Sequence, residues 1–297
     1  MPKSFISLDW GTTSFRAYLV GADGAVKDQF AAPQGILAVK DGAFEATLES
    51  HIGGWDKALP VVASGMITSR QGWVEVPYVD CPAGMADLAK AMFRYATKSG
   101  RIVYFIGGLH YNSPSIHHDV MRGEETQVIG ALATGATQFI TPGTHSKWIS
   151  VSDTRIVDFA TFMTGESFAL YRNHSILGRL MIEGPQDDAA FTRGAAHSFQ
   201  SPSGLLHALF SVRSLGLFNA MAPEKLSSYL SGLLIGHEVV SAIGSHVRSA
   251  RYVVLGAPAL AANYVIALKL MGLSVEIGNP LCSIEGQRVI AQAAGVI

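Results

Sequence analysis

The feature that most restricts how this chain can fold is a hairpin that occurs twice. Residues 7–20 read SLDWGTTSFRAYLV: an apolar run ending in Asp9, a turn through Gly11, Thr12, Thr13 and Ser14, and a second run from Phe15 to Val20 that carries Arg16. Almost half a chain later, TPGTHSKWISV repeats the order Gly-Thr-x-Ser at Gly143, Thr144, His145 and Ser146, again between apolar runs. Apolar runs joined by a short Gly-containing turn predict β-hairpins. In both copies a third strand signal follows a further turn, Val26 to Ala31 after Asp23-Gly24 and Ile156 to Met163 after Asp153-Thr154-Arg155. Chance likeness of a short motif does not also reproduce three consecutive strand signals, so the repeat predicts two related domains. Each turn offers backbone N–H groups and hydroxyls, and the first adds a guanidinium; such a concavity suits phosphate.

Around these hairpins the periodicity predicts alternating elements. A helix is expected over Ala43 to Lys57, with Phe44, Leu48, Ile52 and Trp55 on one face, then a buried strand at Pro60 to Ser64. A polar loop, GMITSRQGWVEVPYVDCPAG, leads to a helix from Met85 to Lys98 and a strand from Arg101 to Ile106. After the second hairpin, helices are expected over Glu166 to Leu177, Asp187 to Phe199, Leu205 to Leu215 and Glu224 to about Ser245, the last behind Pro223. A strand at Tyr252 to Leu255, Gly256, a helix to Met271 and a final helix from Ser283 to Ala294 complete the chain. Antiparallel strands followed by alternating helices and strands make an α/β fold with mixed sheets. The expected domains are 1–115, with the first hairpin and the polar loop, and 116–297, with the second, hinged near residues 108–120. Gly11 to Thr13 and Gly143 to His145 are expected to face each other across a shared cleft.

Composition narrows the function. The 297 residues are 48% hydrophobic with a net charge of −1, enough apolar material for two cores and no basic face for nucleic acid. Cys81 and Cys282 stand far apart without metal spacing, and MPKSFISLDW lacks a signal-peptide core, so a reduced, cytoplasmic protein is expected. Tyr252 to Leu268 is uncharged but short of the ~20 residues a membrane span needs, and Gly256, Pro258 and Asn263 interrupt it, so no membrane is expected. A homo-oligomer is compatible with this composition.

Just before the second hairpin, DVMRGEETQVIGALATG gathers Asp119, Glu124 and Glu125 at a helix start. Acidic residues there are ordinary caps. One helix ahead of a phosphate turn, they also fit phosphoryl transfer, which needs a carboxylate for the attacking hydroxyl. Asp9 would hold Mg²⁺ through water.

The motifs resemble those of the actin-like ATPase superfamily: LDWGTTSFRAYLV its first phosphate motif, TPGTHSKWISV its second, VVLGAPAL its adenosine motif. ASGMITSRQGWVEVPY, DVMRGEETQ, PGTHSKW and TFMTGESFAL together resemble the 2-keto-3-deoxygalactonokinase family, the likeness covering residues 6 to about 271. It implies two actin-like (ribonuclease H-like) domains around a nucleotide cleft. It also implies ATP- and Mg²⁺-dependent phosphorylation of 2-keto-3-deoxygalactonate at its C6 hydroxyl, in galactonate breakdown ahead of an aldolase. Asp9, Gly11, Thr12, Thr13 and Arg16 fall on the first phosphate motif, Gly143, Thr144 and His145 on the second, and Gly256 on the adenosine motif. The superfamily base is usually Asp; here Glu125 has the acid-Thr pairing of the hexokinase branch, and Glu124 the Gly-acid pairing of the glycerol kinase branch. Glu125 is the preferred base, and Asp119 stands behind both. Ser69, Arg70, Gln71 and Trp73 supply the cation, hydroxyl and aromatic wall that a sugar acid needs, and Glu166 would take sugar hydroxyls or cap its helix.

Three other readings compete. A metal hydrolase on His110, His117, His118 and Asp119 lacks helical ligand spacing. A nucleotide-driven switch would need room for polymer or peptide contacts. A kinase of the same superfamily acting on another sugar, sugar acid or polyol is not separable by fold.

Overall fold

The computed structural model describes residues 3–114, 116–201, 204–244 and 250–297. The chain packs as two compact units, one of residues 1–135, 150–159 and 279–297, the other of 136–149 and 160–278.

The first unit opens with β1 (Phe5–Trp10), β2 (Phe15–Val20) and β3 (Val26–Ala32), followed by α1 (Phe44–Ile52), β4 (Val61–Ser64), β5 (Val79–Asp80), α2 (Met85–Lys90), β6 (Phe93–Ala96), β7 (Ile102–Phe105), β8 (Leu109–Tyr111), β9 (Asp119–Met121) and α3 (Glu124–Ala131). Six strands form one sheet in the order β3-β2-β1-β4-β7-β6. β1 pairs antiparallel with β2 and parallel with β4, so Asp9 sits opposite Arg16 on one side and Ser64 on the other. Being central explains why side chains on both faces of β1 are buried: Phe5, Ile6, Leu8 and Trp10 are fully buried. Phe44, Leu48 and Ile52 of α1 cover one face together with Phe15, Ile67 and Phe105. A separate three-stranded sheet, β5-β8-β9, carries the chain toward α3.

The second unit contains β10 (Gln138–Thr141), the start of β11 (Ser146–Ser152), the end of β12 (Arg155–Phe162), then α4 (Thr164–His174), α5 (Asp188–Gln200), α6 (Leu205–Leu217), α7 (Leu226–Ile243), β13 (Arg251–Val254), α8 (Pro258–Leu270) and β14 (Ser274–Ile277). Its sheet runs β12-β11-β10-β13-β14, with β10, β13 and β14 mutually parallel. Both sheets therefore place three consecutive strands side by side and then add parallel strands beyond the first of them. That shared order is what the repeated hairpin predicts. α7 is long and apolar enough by composition to cross a bilayer, and most of it is buried against α5, α6 and α8.

The chain returns to the first unit as α9 (Cys282–Ala293). α9 crosses α3 where both carry glycine: a Cβ on Gly130 would overlap the Cys282 carbonyl, and one on Gly286 the Thr126 carbonyl. The close crossing lets Gln287 reach inward, its amide donating to Leu8 O at 3.0 Å and Ser64 Oγ at 2.8 Å.

Some expected elements differ. The helix expected over Met85 to Lys98 ends at Lys90, and Phe93–Ala96 is a strand antiparallel to β7. Lys98-Ser99-Gly100 makes the hairpin turn, closed by Thr97 N–H to Arg101 O and by Gly100 at φ +89°. Tertiary pairing with a buried neighbour overrides helix-compatible residues here. α1 ends at Ile52, where Gly53-Gly54 follow, and the buried Arg101 guanidinium satisfies the carbonyls of Ile52, Trp55 and Asp56 at and beyond the helix end. The short strands β5, β8, β9 and β14 carry too few residues for periodicity to show. Ser245, where α7 was expected to end, and Ser115, the last residue of the expected first domain, lie outside the described residues.

Candidate active site

In the first unit, three segments meet at the Asp9 carboxyl. The turn after β1 is closed by Gly11 N–H to Ser14 O, and its Gly11 and Thr12 carbonyls accept N–H bonds from Ile36 and Leu37. A trans peptide sets N–H opposite C=O, so the Thr12 and Thr13 N–H groups face the other way, on an exposed tip. Asp9 accepts from Arg16 Nη1 at 3.1 Å. Burial pushes the Asp9 carboxyl above the usual range; Arg16 pulls it down, and the nearby Glu124 charge pushes it up.

Gly65 follows β4 at φ +92° and Gly123 precedes α3 at φ +114°, conformations that favour glycine. A Cβ on Gly65 would sit 3.2 Å from Asp9 Oδ1. α3 then opens with two carboxylates in different settings. Glu124 is half-buried, interacts electrostatically with Asp9, and accepts the Arg122 N–H at 2.9 Å. Glu125 is fully buried; its Oε2 accepts the Gly123 N–H at 2.7 Å and its Oε1 has no hydrogen-bond partner among the described residues. Burial, with the Glu124 charge adding to it, raises the Glu125 carboxyl to about 8. Thr126 Oγ1 donates to Gly123 O at 2.7 Å, completing the helix start. The buried Asp119 lies one strand earlier, in β9.

Arg122 was not singled out by the sequence. Its Nη1 reaches Thr68 O and Thr68 Oγ1 (2.8 Å), its Nη2 Val76 O (3.1 Å), and its guanidinium lies 4.1 Å from the centre of the Tyr78 ring. One side chain thus holds both ends of the 68–76 loop. Within that loop Trp73 N–H donates to Ile67 O, Val76 N–H to Thr68 O and Ser69 Oγ to Met66 O. Arg70 and Gln71 project into solvent, whereas the half-buried Trp73 ring packs against Phe44, Tyr95 and Phe105.

In the second unit the turn residues Gly143 and Thr144 border a cavity of about 520 Å³. Its other walls include Thr164 and Gly165 from α4, Ser231 and Ile235 from α7, and Asn263 and Tyr264 from α8. Gly165 lies so close to the turn that a Cβ there would overlap the Gly143 carbonyl. His145 Nε2 meets Glu166 Oε2 at 2.5 Å, and Glu166 N–H donates to Thr144 O, so Glu166 ties the start of α4 to the turn. Gly256, between β13 and α8, packs against Pro142 at the foot of the same turn. The second turn thus borders the cavity on one side and meets Gly256 at its foot.

On the small sheet, His110 bridges Asp80 (2.6 Å) and His118 (2.9 Å). Among the described residues no three His, Cys, Asp or Glu side chains are grouped to hold a metal. Burial pushes the Cys81 thiol up to about 12 and the Cys282 thiol to about 11, which keeps both protonated.

Comparison with known proteins decides the family: the 2-keto-3-deoxy-galactonokinase family matches over residues 9–290. The chain belongs to that family. It is 33% identical to the 2-dehydro-3-deoxygalactonokinase of Escherichia coli K12, over 99% of both chains. A probable 2-dehydro-3-deoxygalactonokinase, DgoK1, of Rhizobium meliloti is 34% identical over 91% of this chain and 90% of its own length. A crystal structure of a putative 2-dehydro-3-deoxygalactonokinase from Sinorhizobium meliloti superposes with a TM-score of 0.89, covering 97% of this chain and 98% of that one. More distantly, component A of the Acidaminococcus fermentans (R)-2-hydroxyglutaryl-CoA dehydratase shares the fold at a TM-score of 0.54 and 11% identity. The resemblance read from the motifs holds, as do the actin-like α/β fold and the assignment as a kinase.

Proposed function

We propose that this chain transfers the γ-phosphoryl group of ATP to the C6 hydroxyl of 2-keto-3-deoxygalactonate, giving the 6-phosphate and ADP. The observation that carries the reading is the family match over residues 9–290. The half-buried Glu124 near Asp9 supports it, being a carboxylate at the start of α3 that is not closed off from solvent by burial. Glu124 takes the proton of that hydroxyl as its oxygen bonds to the γ-phosphorus and the bond to the ADP oxygen breaks. This choice departs from the sequence preference for Glu125, because both carboxylates accept a backbone N–H but Glu125 is fully buried and so poorly placed to meet a substrate. Glu125 instead fixes the start of α3.

The N–H groups and hydroxyls of Thr12 and Thr13, in the turn that Gly11 opens, hold phosphate oxygens together with Arg16, and Gly143, Thr144 and His145 do the same from the second unit. The cavity beside Gly256 takes the adenosine. Mg²⁺ fits the donor set, since the ion uses one or two carboxylates plus phosphates and Asp9 and Glu124 lie together. Asp9 would hold it, and the ion would neutralise charge on the phosphates. Arg70, with Ser69 and Gln71, meets the sugar acid's carboxylate, Trp73 anchors their loop, and Glu166 serves the second turn. The reading places the enzyme in the cytoplasm, acting on small molecules.

The test is a coupled assay of ADP release across ketodeoxy sugar acids, aldonic acids and free sugars. Turnover is expected with 2-keto-3-deoxygalactonate, with phosphate on C6. Turnover with free hexoses and none with keto acids would overturn the substrate and keep the kinase.

A further inference from the structure

α7 is apolar along nearly its whole length, yet it buries one carboxylate, Glu238, at 2% exposure. Burial pushes this carboxyl above its usual range, and hydrogen bonds from Thr164, Trp148, Ser146 and Tyr264 pull it back. The Trp148 Nε1–H donates to Oε1 at 2.8 Å, and the Ser146 and Tyr264 hydroxyls donate to Oε2, each at 2.8 Å. Burying an acid inside a packed helix bundle is costly unless donors surround it, and here four side chains from three other elements do so. Ser146 and Trp148 are the root of β11, immediately after the Gly143–Thr144 turn. Thr164 is the first residue of α4, and Tyr264 lies in the middle of α8.

α4, α8 and the turn that leads into β11 wall the 520 Å³ cavity, and Thr164 and Tyr264 line it directly. We propose that Glu238 is a positioning residue for the nucleotide: from behind the cavity it holds the second phosphate turn, the start of α4 and α8 in register with one another. The inference rests on the reading of that cavity as the nucleotide site. The chemistry calls for a carboxylate, because two oxygens that only accept can serve four donors. An amide of the same shape keeps one accepting oxygen and forces at least one lining hydroxyl to turn round.

The experiment measures binding of the non-hydrolysable nucleotide AMP-PNP and of 2-keto-3-deoxygalactonate by calorimetry, in the whole protein and in Glu238→Gln and Tyr264→Phe. Each variant removes the equivalent of one or two hydrogen bonds, so AMP-PNP affinity should fall about tenfold in Glu238→Gln and by roughly threefold in Tyr264→Phe. Sugar-acid affinity should stay within about twofold, and the KM for ATP should rise more than kcat falls. If Glu238→Gln does not fold, Tyr264→Phe decides alone. Folded variants with unchanged AMP-PNP affinity, or with equal losses for both ligands, would overturn the proposal. A wild-type protein that turns over the sugar acid but whose AMP-PNP binding is unaffected by Asn263→Trp, which fills the cavity, would overturn the nucleotide reading itself.

Discussion

Gly123 and Gly65 pack back to back: a Cβ on Gly123 would come within 3.2 Å of the Gly65 Cα. This contact sets the start of α3 against the turn after β4, and so brings Glu124 to Asp9. Gly123→Ala would force a side chain onto φ +114° and into that contact. The expected cost is about 1–3 kcal/mol of stability. Because the strain falls where the carboxylates are aimed, kcat should drop as well. Thermal unfolding and steady-state kinetics on the purified variant check both; a variant as stable and as fast as wild type would mean that the backbone here is not constrained.

Glu124→Gln should keep ATP binding and folding while lowering kcat by roughly 10²–10⁴, the usual range for a lost acid–base group. Near-full kcat in this variant would move the role to Glu125 or Asp119.

Glu125 has a separate signature in the pH dependence of stability. Its carboxyl rises from 4.5 to about 8 on folding, so between those values the folded state binds the proton more tightly. Stability contributed by this group is therefore full below pH 4.5 and lost as pH rises through 8. In Glu125→Gln that loss disappears, and relative to wild type the variant should gain roughly 2–4 kcal/mol between pH 5 and pH 9. Urea unfolding at several pH values measures it. Parallel pH profiles for the two proteins would show that Glu125 titrates as an ordinary carboxylate.

These carboxylates illustrate what the sequence could reveal. The duplicated hairpin carried part of the architecture, since the three consecutive strands at one side of each sheet, β1 to β3 and β10 to β12, match the repeated strand signals. DVMRGEETQ pointed to a helix start rich in carboxylates. Adjacent residues of one type cannot be ranked from sequence, however, because burial separates them, and burial is set by tertiary packing such as that of α9 on Thr126 and Gly130 of α3. Glu238 was legible in retrospect as the one acid in LSSYLSGLLIGHEVVSAI; its donors came from segments whose meeting no local pattern encodes. The strand at Phe93–Ala96 was missed for a similar reason, its partner β7 deciding its state.

Arg70 projects from the 68–76 loop into solvent, which suits a group that meets a ligand. Arg70→Ala should raise the KM for the sugar acid by one to two decades, since a charged hydrogen bond is worth roughly 1.5–3 kcal/mol, and leave the KM for ATP nearly unchanged. Equal changes in both would make its role structural.

Arg122 works on the same loop from behind. Its guanidinium serves the Thr68 and Val76 carbonyls and the Thr68 hydroxyl while lying over Tyr78, a planar fork that an ammonium cannot copy. Arg122→Lys keeps the charge and loses that geometry, so the loop should loosen without loss of the fold. Amide hydrogen exchange at Trp73 and Val76, whose N–H groups bond to Ile67 O and Thr68 O, should quicken by about tenfold or more, the loss of one or two hydrogen bonds. The KM for the sugar acid should rise with it, because Arg70 is carried on the loosened segment. Unchanged exchange at both amides would show that the loop is held by its own backbone bonds and by Trp73 packing on Phe44 and Phe105.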